Sequence, residues 1–358
     1  MMLTRRRSGD VVIAVMGITG SGKTTFVNHF ADDQLQIGHT LEACTQFVQV
    51  VPCRLLDGQT IWLVDTPGFD DTYRTDTDIL REIANWLTAS YKNKIRLTGI
   101  IYLHRILDVR FGGTAVKNVR MLKKLCGKEN LANVVLATTM WANVSEAIGS
   151  QREEELKSEQ FCWKEMMERG SRVFRHHNKP ETGYQIIKYL IDMHQPVTLD
   201  IQREMVDKKM DLIDTTAGAE VADIMETMKK KWEEEISSIR KELQEAIARR
   251  DDADKKELQQ FEKELKMNLE RDSEAMRKLQ ADTDQLHQQM AEKYDTEFKK
   301  LQEKIEEQEQ QLQNAQNQTT EWKQKYQEDL EKSKKLRKQM QVQQAWQKSL
   351  YGQACVMM

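Results

Sequence analysis

The residues with the clearest chemical capacity run Gly17-Ile18-Thr19-Gly20-Ser21-Gly22-Lys23-Thr24. They follow an apolar run, Val11 to Met16, and precede a stretch that reads as helix. The pattern is GxxxxGK[ST]. Its glycines let backbone wrap closely around phosphate oxygens, and amide N–H groups at the helix N-terminus face the negative charge. Gly17, Thr19, Gly20, Ser21, Gly22 and Thr25 belong to this cradle. Lys23 reaches the β- and γ-phosphates, and the Thr24 hydroxyl goes to Mg²⁺. The competing account is a chance glycine-rich turn. Placement between a strand and a helix argues against it.

A second motif, Asp65-Thr66-Pro67-Gly68, ends the apolar run Ile61–Val64. An aspartate there holds Mg²⁺ through water, and the Gly68 amide senses the γ-phosphate because glycine permits close approach. Alone, this would read as an ordinary Pro-Gly turn; the cradle upstream changes the balance. Kinases built on the same cradle do not need this motif, and no arginine-rich lid segment accompanies it here. A hydrolase of GTP is therefore the better reading. Between the motifs lies His39-Thr40-Leu41-Glu42-Ala43-Cys44-Thr45. Such proteins place a threonine here that completes the Mg²⁺ shell in the triphosphate state. Thr45 is the first choice, because it immediately precedes the strand leading back to Asp65, and Thr40 is the alternative. The loop would order around the γ-phosphate and release after hydrolysis. Lys23, Thr45 and Gly68 are the candidates for acting on the reacting phosphate. Thr24, Thr45 and Asp65 are the candidates for Mg²⁺.

These residues need a scaffold, and residues 10–195 supply one. Strands are expected at Val11–Met16, Phe47–Leu56, Gln59–Val64, Thr98–Leu103 and Asn133–Thr138. Asp57-Gly58 marks a hairpin between the second and third. Helices are expected near Lys23–Ala31, Asp76–Ser90, Ala115–Leu125 and Glu153–Arg169. Strand–helix alternation predicts an α/β fold with a mostly parallel sheet covered on both faces. Ligands bind such sheets at the carboxyl ends of the strands.

Composition divides the chain near Pro196. All four prolines lie at or before it, and from Ala219 to Tyr351 there is neither Gly nor Pro. That stretch is rich in Glu, Lys, Gln, Leu and Met, which predicts continuous helix. At 1.5 Å per residue an unbroken rod would reach about 200 Å. Heptad-like apolar positions at Leu258, Phe261, Leu265, Leu279 and Leu286, then Phe298, Leu301, Ile305 and Leu312, suggest a loose coiled coil. Asn268, Asp272, Asp282 and Gln308 interrupt its seam. The competing reading is a solvated or partly disordered helix. The resulting domain plan is a tail at 1–9, an α/β domain at 10–195, a helical linker at 196–225, a coiled coil at 226–345 and a tail at 346–358.

The 358 residues carry a net charge of −3, which gives no reason to expect a nucleic-acid partner. Five cysteines, Cys44, Cys53, Cys126, Cys162 and Cys355, show no CxxC spacing and no zinc pattern. They read as reduced thiols, which points to the cytoplasm. No apolar run reaches membrane-spanning length. The last four residues, Cys355-Val356-Met357-Met358, fit a farnesylation box. Lys332, Lys334, Lys335, Arg337 and Lys338 upstream offer the basic second signal that a single lipid needs. Cys355 is thus a candidate lipidation site with peripheral membrane contact, set against a chance terminal cysteine.

GITGSGKT, DTPGFDDT, Ile101-Tyr102-Leu103-His104-Arg105-Ile106 and Leu136-Ala137-Thr138-Thr139-Met140-Trp141 together resemble the septin-like group of P-loop GTPases. The similarity is to the immune-associated nucleotide-binding GTPases and, more narrowly, to a set of fungal G-domain proteins. It covers just over half the chain. Leu103 to Gly112 sits where the immune-associated relatives carry a short family box. The resemblance implies a G domain binding GTP or GDP with Mg²⁺, and a switch whose nucleotide state is coupled to self-association or to a coiled-coil protein partner.

Two departures stand out. Guanine is normally specified by the aspartate of an N/TKxD motif. Here the strand leads into Thr139-Met140-Trp141-Ala142 with no acid. Trp141 is a candidate for stacking on the base, which would not separate guanine from adenine. Arg172–Asn178 occupies the place of the fifth motif, so Asn178 or His177 is the candidate base contact; the competing reading is a loop or strand-end residue. Second, the water-orienting glutamine after the DxxG motif is replaced by Phe69, then Asp70 and Asp71. Slow turnover is expected, aided by dimerisation or a partner. His104 and Arg105 are candidates for acting in trans, against a structural ion pair for Arg105 and a surface position for His104. Two rival functions remain: a non-catalytic nucleotide-binding scaffold, and an ATPase with a coiled-coil arm. The second lacks the head segment such proteins place after the coil.

Overall fold

The computed structural model describes residues 11–36, 45, 47–69, 74–108, 113–193, 196–249 and 252–280, with isolated helical positions between 298 and 314. Two units divide the chain: Asp10–Leu301, and Met1–Gly9 with Gln302–Met358. The first unit holds every structural element described below. In the second, the few described residues are helical. Cys355, the basic cluster before it, Thr40 and most of the loop preceding Thr45 lie outside the described residues.

Six strands form one sheet: β1 (Val12–Gly17), β2 (Gln49–Arg54), β3 (Thr60–Asp65), β4 (Gly99–Arg105), β5 (Val134–Thr139) and β6 (Arg172–Arg175). Their order is β2-β3-β1-β4-β5-β6, and all neighbours are parallel except the β2–β3 hairpin. Asp57 and Gly58 turn that hairpin. Gly58 takes φ 81°, and the Asp57 carboxylate accepts from the Gln59 amide at 3.0 Å. Such a backbone angle is cheap only for glycine.

Helix α1 (Lys23–Asn28) follows β1, α2 (Asp76–Lys92) follows β3, and α3 (Gly113–Cys126) follows β4. Phe26, Phe30, Ile186, Ile187 and Leu190 pack on Ile13, Val15, Leu63, Ile101 and Val135. Alternation turns Val12, Ala14 and Met16 to the opposite face, where they are equally buried. Both faces are therefore covered, as a parallel sheet requires. The helix expected over Glu153–Arg169 divides into α4 (Glu146–Ser158) and α5 (Lys164–Glu168). The intervening turn carries Cys162 and Trp163 into the interior, with the Trp163 amide donating to Leu156 O at 3.0 Å. Helix α6 (Pro180–Met193) was not anticipated, although Pro180 at its first position is a start signal.

Residue 195 is not a break in packing. Val197 bridges Leu97 at the foot of β4, and the Asn130 side chain donates to Thr198 O at 3.0 Å. The short helix α7 (Asp200–Gln202) sends Gln202 Nε2 to Leu87 O on α2 at 2.9 Å. Glu204 then accepts from the Thr216 amide at the start of α8 (Thr216–Arg249).

The helix does not run on unbroken. It ends at Arg249, and α9 (Asp252–Leu279) returns antiparallel beside it. Trp232 Nε1 donates to Asp272 Oδ2 at 2.9 Å, and Arg240 Nε donates to Glu262 Oε1 at 2.9 Å. Ile236, Ile239 and Leu265 bury together, flanked by Trp232, Leu258 and Leu269. Leu258 and Leu265 of the expected seam thus have partners within their own chain, whereas Phe261 is exposed, and Leu286, Ile305 and Leu312 lie outside the described residues. This αα-hairpin lies on the α/β domain: Arg120 pairs with Glu220 at 2.8 Å, and Lys278 Nζ reaches Asp78 Oδ1 at 3.4 Å. Among the described residues no helix is long and apolar enough to cross a membrane.

Candidate nucleotide and metal site

Gly17 leaves β1 at φ 146°, where any Cβ would strike the Leu103 carbonyl. Gly20 and Gly22 follow at φ 75° and 91°, and Gly22 caps α1 in the left-handed conformation. Three glycines thus turn the chain back over the sheet and aim the first amides of α1 outward. The loop is held from both sides. Ser21 N donates to Ile18 O at 3.1 Å, and Thr139 Oγ1 of β5 donates to Ser21 O at 3.0 Å.

The Asp65 motif closes on this loop. Thr19 N donates to Phe69 O at 2.9 Å, and Ile18 bridges Phe69. A Cβ on Gly68 would stand 2.6 Å from both the Thr19 nitrogen and Cα. Only glycine allows this contact between the two loops. Phe69 itself is 1% exposed, so its ring belongs to the core and has no access to water.

Lys23 lies buried, its Nζ donating to Ile18 O at 3.1 Å. Thr25 is half-buried beside it on α1. Thr24 Oγ1 donates to Asp65 Oδ2 at 2.8 Å, Thr45 Oγ1 donates to the same oxygen at 3.1 Å, and the two hydroxyls stand 3.1 Å apart. The structure therefore brings together all three residues singled out for Mg²⁺. Asp65 is buried, and its Oδ1 has no hydrogen-bond partner among the described residues; neither does Ser21 Oγ. Burial pushes the Asp65 carboxyl up, opposed by Lys23 and by the Thr24 and Thr45 hydroxyls. A buried carboxylate with an orphaned oxygen beside two hydroxyls is a hard-oxygen donor set of the kind that suits Mg²⁺.

The base side differs from expectation. Trp141 is 6% exposed, and its Nε1 is spent on Thr138 Oγ1 at 3.0 Å. The Arg175 guanidinium sits 4.2 Å over the ring, and Gly149 packs close against its benzene edge. Arg175 is anchored in turn by Glu146 and by Glu153, the latter at 2.8 Å. In this packing Trp141 is a core residue, not an open stacking platform. Asn178, exposed at φ 54°, is held by His29, whose Nε2 lies 3.1 Å from its Oδ1. Sequence reasoning did not single out His29. Its position seven residues after Gly22, at the end of α1, is the signal that could have found it.

Arg105 pairs with Asp108 at 3.1 Å in its own chain and lies beside Gly20. His104 is 3% exposed, not a surface residue. Burial lowers its pKa to about 4.

Residues 12–139 match the family model for the 50S ribosome-binding GTPase. No curated protein matches the chain. Among solved structures, Toc33 from Arabidopsis thaliana in complex with Mg²⁺ and GMPPNP is 19% identical, covering 53% of this chain and 88% of its own at a TM-score of 0.42. Era from Aquifex aeolicus bound to GDP·AlF₄⁻ is 15% identical, covering 53% of this chain and 62% of its own at 0.35. The elongation factor SelB from Methanococcus maripaludis is 12% identical, covering 52% and 35% at 0.35. With the topology and the match over residues 12–139 together, the α/β region has the fold of a P-loop GTPase G domain and is followed by a helical region.

Proposed function

We propose that the chain is a GTP-binding switch with slow or partner-assisted hydrolysis. The observation that carries this reading is the meeting of Thr24 and Thr45 on one oxygen of Asp65. Thr24 comes from the phosphate loop and Asp65 from the neighbouring strand, while Thr45 belongs to the segment between them. In this reading Mg²⁺ is held by the two hydroxyls and the carboxylate, and supplies positive charge at the phosphates. Gly17, Thr19, Gly20, Ser21, Gly22 and Thr25 cradle the phosphates, and Lys23 neutralises them. Gly68, clasped to Thr19, carries the presence of a γ-phosphate toward α2.

Phe69 orients no water, so turnover by the isolated chain is slow and a partner or second copy completes the site. The segment beyond residue 280 mediates that association. Cytoplasmic residence with a peripheral membrane contact through Cys355 completes the reading. Loss of membrane-pelleted protein in Cys355→Ser is the test of that contact.

A second reading has one observation in its favour. With Phe69 in the core, the domain suits a nucleotide-binding scaffold that never hydrolyses. Titration of the full chain with GTP, GDP and ATP, each with Mg²⁺, tests binding, with Lys23→Ala as the control. GTP turnover, alone and at rising protein concentration, separates switch from scaffold. Binding without turnover at any concentration favours the scaffold; equal binding of ATP ends the guanine reading.

A further inference from the structure

The α8–α9 hairpin carries a groove of about 600 Å³, lined by residues of these two helices alone. The pairing of Arg240 with Glu262 sets its register: Glu242 comes opposite Gln260, and Glu245 opposite Glu257. Its apolar residues are Phe261 and the half-buried Leu258. Phe261 is 46% exposed. A lone exposed ring is ordinary. This one lines a concave strip that follows two turns of α9 from Glu257 to Glu264, about 10 Å long.

The rest of the lining is acidic. Glu242, Glu245, Glu257 and Glu264 are exposed, and none of them forms an ion pair among the described residues. Glu262, outside the groove, holds both Arg240 and Lys266, at 2.9 and 2.8 Å. The cations of α9 are placed elsewhere on the helix. At 3.6 residues per turn, Lys256, Lys263 and Lys266 stand about 140–160° around the axis from Phe261. Acids at i and i+3, such as Glu242 and Glu245, repel each other. A cation brought from outside relieves them.

A groove between two antiparallel helices suits a third helix. A second copy offering the same face would set four carboxylates against four, so charge opposes self-docking here. We propose that the groove docks a basic amphipathic helix of a partner protein. Its apolar stripe, at i, i+3 and i+7, matches the length of the groove and lies on Phe261 and Leu258. Lysine or arginine on one flank faces Glu242 and Glu245, and on the other flank Glu257 and Glu264. This docking is independent of what fills the phosphate loop.

The test is titration of the full chain with a helical peptide of about 15 residues, leucine at i, i+3 and i+7 and lysine on both flanks. Saturable binding with a Kd below about 1 mM is expected, weakening as salt rises. Phe261→Ala removes a side chain outside the hairpin core, and should weaken the peptide about tenfold or more. Glu245→Lys with Glu257→Lys should do the same by reversing charge on both sides. Glu270→Lys, on the far side of α9, should leave the Kd within about twofold. No saturable binding below about 1 mM would overturn the inference. So would equal binding of a peptide with glutamate in place of lysine, or a Kd unmoved by the Phe261 and double-lysine variants. Self-association of the native chain that disappears in Phe261→Ala would also overturn it, because the groove would then be an interface between copies.

Discussion

Thr24, where the phosphate loop enters α1, and Thr45, from the segment that precedes β2, meet on a single carboxylate oxygen, with their hydroxyls 3.1 Å apart. The two are not equivalent. Thr24 is fixed on α1, whereas Thr45 stands where the segment between the two motifs rejoins the sheet. Thr24→Ala should weaken GTP and GDP alike, by about tenfold or more with Mg²⁺ and little without it. Thr45→Ala should weaken GTP while leaving GDP within about threefold. Titrations with and without chelator check both.

Gly68→Ala places a methyl group against the backbone of Thr19, which has no flexible end to move aside. A cost of about 1–3 kcal/mol to the folded domain is expected, as for other overpacked contacts. Chemical denaturation measures it. Ala at exposed Gly58 meets open space but must hold φ 81°, so its cost comes from strain alone.

His104 and His176 both have pKa values lowered to about 4. Burial is the first cause in each; His29 and His177 add to it at His176. Unfolded histidine titrates near 6.5, so between about 6.5 and 4 the unfolded chain binds more protons than the folded one. Stability is therefore full above that window and falls as pH drops through it, by on the order of 3 kcal/mol for each histidine. Unfolding midpoints measured from pH 7.5 to 4.5 should show this slope, and His176→Gln should reduce it.

Leu265→Ala in the hairpin should cost about 2–4 kcal/mol, since Leu265 is 3% exposed between Ile236 and Ile239. Phe261→Ala, on the exposed face of the same helix, should change stability by about 0.5 kcal/mol or less. Thermal or urea unfolding of the full chain separates the two. If Phe261 costs as much as Leu265, the hairpin register is different from the one described.

Much of this was legible in the sequence because backbone demands special residues. The glycines of the phosphate loop, Asp57-Gly58 and Pro67-Gly68 mark places where few other residues fit, and strands buried on both faces read as apolar runs. The hairpin was harder. Lacking Gly and Pro, residues 219–351 carry no breaker, yet Arg249-Arg250-Asp251-Asp252 places cations at one helix end and acids at the next start, as helix dipoles favour. Asp272 looked like a flaw in the seam. It is the acceptor for Trp232, a partner that only the reversal brings near. Trp141 is hard to read for a related reason: an aromatic residue in the turn after a strand does not reveal in sequence that Thr138 and Gly149 pack it into the core.

The two cross-links of the hairpin, Trp232 to Asp272 and Arg240 to Glu262, tie positions counted outward along one helix to positions counted back along the other. Its two limbs therefore form a matched pair of rulers. A residue inserted in α8 alone would rotate every later contact by about 100° and carry Lys278 away from Asp78 on the G domain. Length can change in this arm only by equal amounts on both sides of the turn, and in steps that bring the same faces back together.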